Sequence, residues 1–240
     1  MPSLTEMSPE DSAQFGLQRP PALTVDVVIF SLALPEHNLN TLLIRRANDP
    51  FKGEWAIPGG FVNYNESLKT AATRELAEET GVRNVYLEQL YSFGNPNRDP
   101  RGHTVTVTYF ALIPADSVQV IAGTDAAEAA WHSVYKPPPL AFDHARILQY
   151  ALQRLRYKLE YTVAGFKLLP AEFTLTDLQT AYEIVLAEKL DKRNFRRRLF
   201  DGDVIEQTDR RREGGEGRPA MLYRYRADAD PEVKARRLFP

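Results

Sequence analysis

GGFVNYNESLKTAATRELAEETGV, residues 59–82, is the stretch from which the rest of the chain can be read. A helix is predicted over residues 67–80: Asn65 or Ser67 stands where an N-cap belongs, good helix formers follow, and Gly81 comes where a left-handed residue closes a helix. At ~100° per residue, Glu75, Glu78 and Glu79 fall on one stripe of that helix, with Arg74 beside them. Alone, the stripe repels itself. Like charges three and four residues apart cost a few tenths of a kcal/mol per pair and raise one another's pKa values where they are desolvated. A divalent cation reverses that balance. The stripe offers carboxylate oxygens with no His or Cys nearby, which suits a hard ion, Mg²⁺ or Mn²⁺, that keeps several waters and takes phosphate oxygens as its other ligands. The chemistry indicated is phosphate chemistry.

Working outward, residues 24–32, 41–45, 85–93 and 104–113 are rich in Val, Ile, Tyr, Phe and Thr and read as strands, which makes an α/β domain around the helix. Three prolines at 137–139 mark a stiff turn before a second helix, residues 143–161, with Ile147, Leu148, Ala151, Leu152 and Leu155 at helical spacing. A domain boundary is expected near residues 155–170. Beyond it, residues 173–186 read as a helix capped by Thr174 or Thr176, with Leu178, Ala181, Tyr182 and Val185 on one face. Asp191 then caps residues 192–200, whose Phe195 and Leu199 lie opposite Arg193, Asn194 and Arg197. Residues 204–208 and 220–225 alternate like hairpin strands around an arginine- and glycine-rich tip, DRRREGGEGRP. Helix, turn, helix, basic hairpin is the order of a winged helix-turn-helix, whose second helix enters the DNA major groove while the wing meets the backbone. The candidate DNA contacts are therefore Lys192, Arg193, Asn194 and Arg197 on the helix, and Arg210, Arg211, Arg212 and Arg218 on the wing.

Composition agrees with a two-part globular chain. Its 240 residues allow two modest domains, and 43% hydrophobic with 26% charged residues excludes disordered and collagen-like classes. There is no cysteine, which removes disulfides, thiolate nucleophiles and sulfur-ligated zinc. Residues 1–150 carry a net charge of −6 and residues 151–240 one of +4, and residues 192–226 alone carry +5, a patch that attracts polyanions. Residues 1–21 place acids and prolines where a secretory signal would have a basic patch and an apolar run, and nowhere do ~18 apolar residues follow one another. A reducing cytoplasm and no membrane are expected.

Gly60, five residues, Glu66, seven residues, then Arg74-Glu75-Leu76-Ala77-Glu78-Glu79-Thr80-Gly81-Val82 resembles an intact Nudix box. At average residue usage, seven fixed residues at that spacing arise by chance at roughly one in 10⁸ per start site. The stretch FTLTDLQTAYEIVLAEKLDKRNFRRRL followed by GEGRPAMLYRY resembles the C-terminal part of the NAD-responsive Nudix-related transcriptional regulators, the NrtR family. The resemblance implies a fold of class α/β (α+β): a Nudix α/β/α sandwich with a mixed sheet, then a smaller winged helix-turn-helix. It also implies an N-terminal extension (1–20), a Nudix domain (21–155), a DNA-binding domain (156–230) and a tail (231–240).

By the same resemblance, Glu75, Glu78, Glu79 and the Gly60 carbonyl would hold Mg²⁺, or Mn²⁺, and Arg74 and Glu66 would orient the carboxylates. Glu79 is the first candidate for the general base, with Glu128 the candidate from outside the box. Arg45, Arg46, Arg98 and Arg101 are candidates for phosphate or ribose contacts, with Gly59 and Gly60 beside them. Phe51, Trp55 and Trp131 are read as core or as adenine platforms, and His37, His103, His132 and His144 are given no role. The implied activity is hydrolysis of ADP-ribose to AMP and ribose 5-phosphate by a protein that also binds a double-stranded DNA operator, as a homodimer. In many such regulators the box is degraded, whereas here it is whole. Two alternatives stand beside this: a sensor of ADP-ribose or a sugar that does not hydrolyse its ligand, and a Nudix enzyme whose second domain serves assembly only.

Overall fold

The computed structural model describes residues 20–83, 85–114, 126–161, 167–212 and 219–226. The first part is built on a seven-stranded mixed sheet. Strand β1 (Ala22–Ala33) lies at its centre, beside β2 (Asn38–Arg46) on one side and β6 (Thr104–Pro114) on the other. The β1–β6 pairing is parallel and β1–β2 antiparallel. Strand β5 (Tyr86–Phe93) continues the sheet beyond β6, and β3 (Trp55–Ala56) and β7 (Ala126–Ser133) both pair with β2. A short strand β4 (Gly59–Phe61) pairs with the start of β1, opposite Thr24, Val25 and Asp26.

Alternation along β1 supplies both faces of the sheet. Val25, Val27 and Ile29 pack with Ala71, Ala72 and Leu76 of helix α1 (Leu68–Thr80). Val28, Phe30 and Leu32 face the other way, against Ile147, Leu148, Ala151 and Leu155 of helix α2 (His144–Tyr161). Burial of this kind is worth ~25 cal/mol per Å² of apolar surface, so the two helices are held chiefly by their apolar stripes. Helix α1 starts at Ser67, whose hydroxyl accepts from Thr70 N–H, and stops at Gly81, which takes a left-handed φ of 74° and returns its N–H to the Ala77 carbonyl. This is the α/β/α sandwich expected from the sequence.

Helix α2 runs past residue 155 and carries the chain into the second part. There α3 (Leu175–Leu186) is closed by a capping box between Thr174 and Asp177, and α4 (Lys192–Asp201) is capped by Asp191. Strands β8 (Ile205–Arg212) and β9 (Ala220–Tyr225) form the hairpin, and paired N–H···O bonds between Phe173 and Tyr223 at 3.0 and 2.8 Å tie it to the start of α3. Helix, helix, hairpin is the winged-helix order. The buried residues Leu155, Leu159, Leu178, Tyr182, Phe195 and Leu199 all belong to the same cluster as Phe30 and Ile147, so one apolar core crosses from sheet to winged helix. No helix among the described residues is long and apolar enough to cross a membrane.

Candidate functional site

The acidic stripe of α1 meets strand β4 at the edge of a cavity of about 350 Å³. Gly59 N–H donates to Glu79 Oε2 at 2.7 Å, which fastens the helix to β4 and turns a buried carboxylate toward the cavity. Gly60 is where the backbone passes closest to Glu75: a Cβ there would overlap the Glu75 carboxylate. Only glycine lets strand and carboxylate share that wall. Arg74 gathers the remaining acids. Its Nε and Nη2 hold Glu66 in a fork, both at 2.9 Å, and its Nη1 reaches Glu75 at 2.7 Å and Glu78 at 3.1 Å. The Arg74 hydrogen bonds, with the Asn63 N–H, bring Glu66 down to about 2. Glu75 moves the other way: burial raises its pKa, and the Glu78 and Glu66 charges push in the same direction against Arg74.

Glu75, Glu79, Gly59, Gly60 and Arg74 therefore line the cavity, together with Arg46, Arg98 and Arg101. Arg46 lies 4.8 Å from the Phe142 ring centre, and Arg101 lies 5.3 Å from Phe61. Arg46 Nε also donates to the Pro50 carbonyl at 2.7 Å and Arg101 is forked onto Asp99, with its Nη2 at 2.8 Å, so both guanidiniums are held at the cavity lining. Arg98 is buried and forked onto Asp143, with its Nη2 at 2.7 Å, and serves as a fixed wall of the site.

Other candidates stand elsewhere. Arg45 precedes Arg46 on β2 and so points to the opposite face, where it meets Glu128 of β7 at 3.7 Å with both side chains half exposed. Neither lines the cavity. Glu78 is 56% exposed and rests on Arg74 instead of facing inward. Among the described residues, no three Asp, Glu or His side chains are gathered tightly enough to hold a metal ion as they stand. The donor chemistry nevertheless fits a hard divalent ion: the buried Glu79 and the partly buried Glu75 offer carboxylate oxygens on one wall. Trp131 packs into the α1-side core and Trp55 against the α2-side core, while Phe51 stacks edge-on with Phe142.

Among the cavity residues that escape sequence reasoning are Asp26, Phe142 and His144. A carboxylate at Asp26 inside an otherwise apolar strand was the available signal for one of them; Phe142 and His144 carry no local sign.

In the second part, α4 buries Phe195 and Leu199 and leaves Lys192, Arg193 and Arg197 exposed, as the periodicity predicts. Asn194 accepts from Arg197 at 2.7 Å. The hairpin differs from expectation: Arg210, Arg211 and Arg212 belong to strand β8 rather than to its tip, because the ladder continues through Arg211–Met221 and Arg212–Ala220 after a bulge. Arg210 pairs with Glu172 at 2.9 Å and Arg212 with Asp177 at 2.7 Å. Arg218 lies outside the described residues.

An acid-lined α/β sandwich with arginines about its cavity, joined through a shared helix to a basic winged helix, defines a nucleotide-phosphate domain coupled to a nucleic-acid reader. Family models agree: residues 22–151 match the NUDIX domain and residues 165–225 the NrtR DNA-binding winged helix domain. The chain belongs to the Nudix family, in the group that carries the NrtR winged helix. It is 45% identical over 208 residues to the ADPR responsive transcriptional repressor NtrR of Acinetobacter baylyi, which covers 85% of this chain and 82% of that protein. It is 37% identical over 139 residues to an ADP-ribose pyrophosphatase of Methanocaldococcus jannaschii, covering 58% of this chain and 78% of that one. The crystal structure of Shewanella oneidensis NrtR complexed with a 27mer DNA superposes with a TM-score of 0.76 at 37% identity, over 90% of this chain and 96% of that one.

Proposed function

We propose that this chain is an ADP-ribose-responsive transcriptional regulator that binds operator DNA through its winged helix and, in Mg²⁺, also hydrolyses ADP-ribose to AMP and ribose 5-phosphate. One observation carries the reading: a single cavity holds the Glu75 and Glu79 carboxylates together with the Arg46 and Arg101 guanidiniums, so hard-ion donors stand beside cations suited to phosphate. The likeness to a repressor responsive to ADPR and to an ADP-ribose pyrophosphatase supports the choice of ligand.

Glu75, Glu79 and the Gly60 carbonyl, with Glu78 from the next position of the stripe, would hold the ion. When bound, a divalent cation supplies neutralising charge for the pyrophosphate and activates water. Arg74 holds Glu66, Glu75 and Glu78 in place, and Arg46 and Arg101 orient the phosphates. Glu79 is the group we assign to take the proton from the attacking water, because it lines the cavity while Glu128 is paired with Arg45 outside it. Residues 21–155 hold the ligand in this reading and residues 156–230 the DNA, with α2 common to both. A homodimer would present two winged helices to paired half-sites.

The test combines two readouts: release of AMP from ADP-ribose by the purified protein in Mg²⁺, and gel shift, at stated salt, of a duplex selected by the protein from a random pool. The expected result is AMP that disappears in EDTA, and a shifted duplex whose affinity changes with ADP-ribose. No AMP from wild type removes the hydrolase; no shift at low salt removes the regulator. A second reading, a sensor without turnover, is favoured by the exposed Glu78 resting on Arg74. It requires that Glu79→Gln leave the ligand effect on DNA unchanged while AMP stays negligible in both proteins.

A further inference from the structure

Strand alternation puts Asp26 on the same face of β1 as Val28 and Phe30, where the pattern calls for an apolar side chain. Its side chain is only 9% exposed, and what is exposed lines the cavity. Oδ2 has no hydrogen-bond partner among the described residues. The cation beside it, Arg98 Nη2, is 3.6 Å away and committed to Asp143. Oδ1 stands 3.8 Å from Nε2 of His144, again beyond hydrogen-bond reach. A buried carboxylate left so is costly, and a donor is needed to offset it.

The histidine states which donor. Nδ1 of His144 accepts the Ile57 N–H at 2.9 Å, so that nitrogen carries no proton and the neutral ring bears its hydrogen on Nε2. Burial holds the ring below its ordinary pKa and so keeps it neutral. An acceptor and a donor, both more than nine-tenths buried, thus face each other across a separation too long for one hydrogen bond but short enough for one oxygen to serve both at ~2.8 Å. A hydroxyl does both at once. An ionised phosphate oxygen only accepts and would be repelled by Asp26, and a metal ion would sit against the Arg98 charge. A Cβ at Gly59 would meet the Val25 carbonyl at 2.2 Å and Asp26 Oδ1 at 2.6 Å, so only glycine lets β4 pass this close to Asp26.

We propose that Asp26 and His144 form a ribose-hydroxyl site: the sugar O–H donates to Asp26 Oδ1 and its oxygen accepts from His144 Nε2–H. The inference rests on the nucleotide reading of the same cavity and adds what within the nucleotide is recognised. Calorimetric titration in EDTA, where no hydrolysis consumes the ligand, compares wild type with Asp26→Asn against ADP-ribose and against ADP. Loss of a charge-assisted bond predicts affinity lower by roughly 10- to 100-fold. A loss confined to ADP-ribose assigns the terminal ribose; a loss for both ligands assigns the adenosine ribose. Unchanged affinity for both overturns the site. A second measurement needs no variant: wild type titrated with ADP-ribose analogues that each lack one ribose hydroxyl must show one analogue weakened at least tenfold, and uniform affinities overturn the proposal even where Asp26→Asn fails to fold. Wild type that binds no ADP-ribose instead sinks the ligand reading itself, and this site with it.

Discussion

At the scale of single residues, Arg74 organises the acidic ridge, and two substitutions separate its consequences. Glu66 has a folded-state pKa of about 2, against an ordinary carboxyl near 4.5. A depressed carboxyl stabilises the fold fully above the ordinary pKa and loses that contribution as pH falls from about 4.5 toward 2. Glu66→Gln should therefore lower the melting temperature in EDTA at pH 7, and the gap to wild type should narrow once pH falls below about 4.5; a gap constant down to pH 3 contradicts the pairing. Gly60→Ala tests the other side of the ridge. Its Cβ would overlap the Glu75 carboxylate, which must swing away. The expected outcome is a protein that folds, since Glu75 ends in a movable side chain, yet gains less thermal stability from Mg²⁺ than wild type in a metal titration; equal gains would mean that Glu75 takes no part in holding the ion.

At the scale of elements, the wing arginines divide by partner. Arg212 faces Asp177 and Arg210 faces Glu172, whereas Arg211 has no acidic partner among the described residues. A cation already matched by a carboxylate releases fewer counterions on meeting a phosphate. Arg211→Ala should flatten the slope of log K against log salt by about 0.9, and Arg212→Ala by less. Equal flattening would show that the Asp177 pair opens on DNA. The helices are legible in the sequence because their signals are local: Ser67, Thr174 and Asp191 cap them, and Phe195 and Leu199 repeat at helical spacing. The long strands were legible from their Val, Ile and Thr content. Strands β3 and β4 were not, being two and three residues long, and β7 begins AAEAA, a composition poor in strand formers that is held in place by pairing with β2. The box residues of the site could be found in sequence because one helix and one turn carry them. Asp26 and His144 could not, because β1 and α2 bring them together only in the folded sheet.

At the scale of the whole molecule, the two parts are joined by more than a tether. The Tyr135 hydroxyl, just after β7, donates to the Ile184 carbonyl, and Arg156 Nε of α2 donates to the Val185 carbonyl at 2.8 Å. Both bonds reach carbonyls in the last turn of α3, where Ile184 also accepts the Ala187 N–H of the C-cap, and Arg156 places positive charge at the negative end of its dipole. Helix α3 in turn supports α4, since Tyr182 meets Phe195 with ring centres 5.5 Å apart. A ligand that shifts α2 would thus move the base on which α4 rests. With one apolar cluster crossing both parts, calorimetry of wild type should show a single unfolding transition. Tyr135→Phe and Arg156→Met should each cost about 1 kcal/mol, a fall of roughly 2–4 °C in Tm, and should also reduce the effect of ADP-ribose on DNA affinity without weakening ADP-ribose binding itself. Two separated transitions in wild type would mean that the core is not shared, and variants with undiminished ligand response would place the coupling somewhere other than the end of α3.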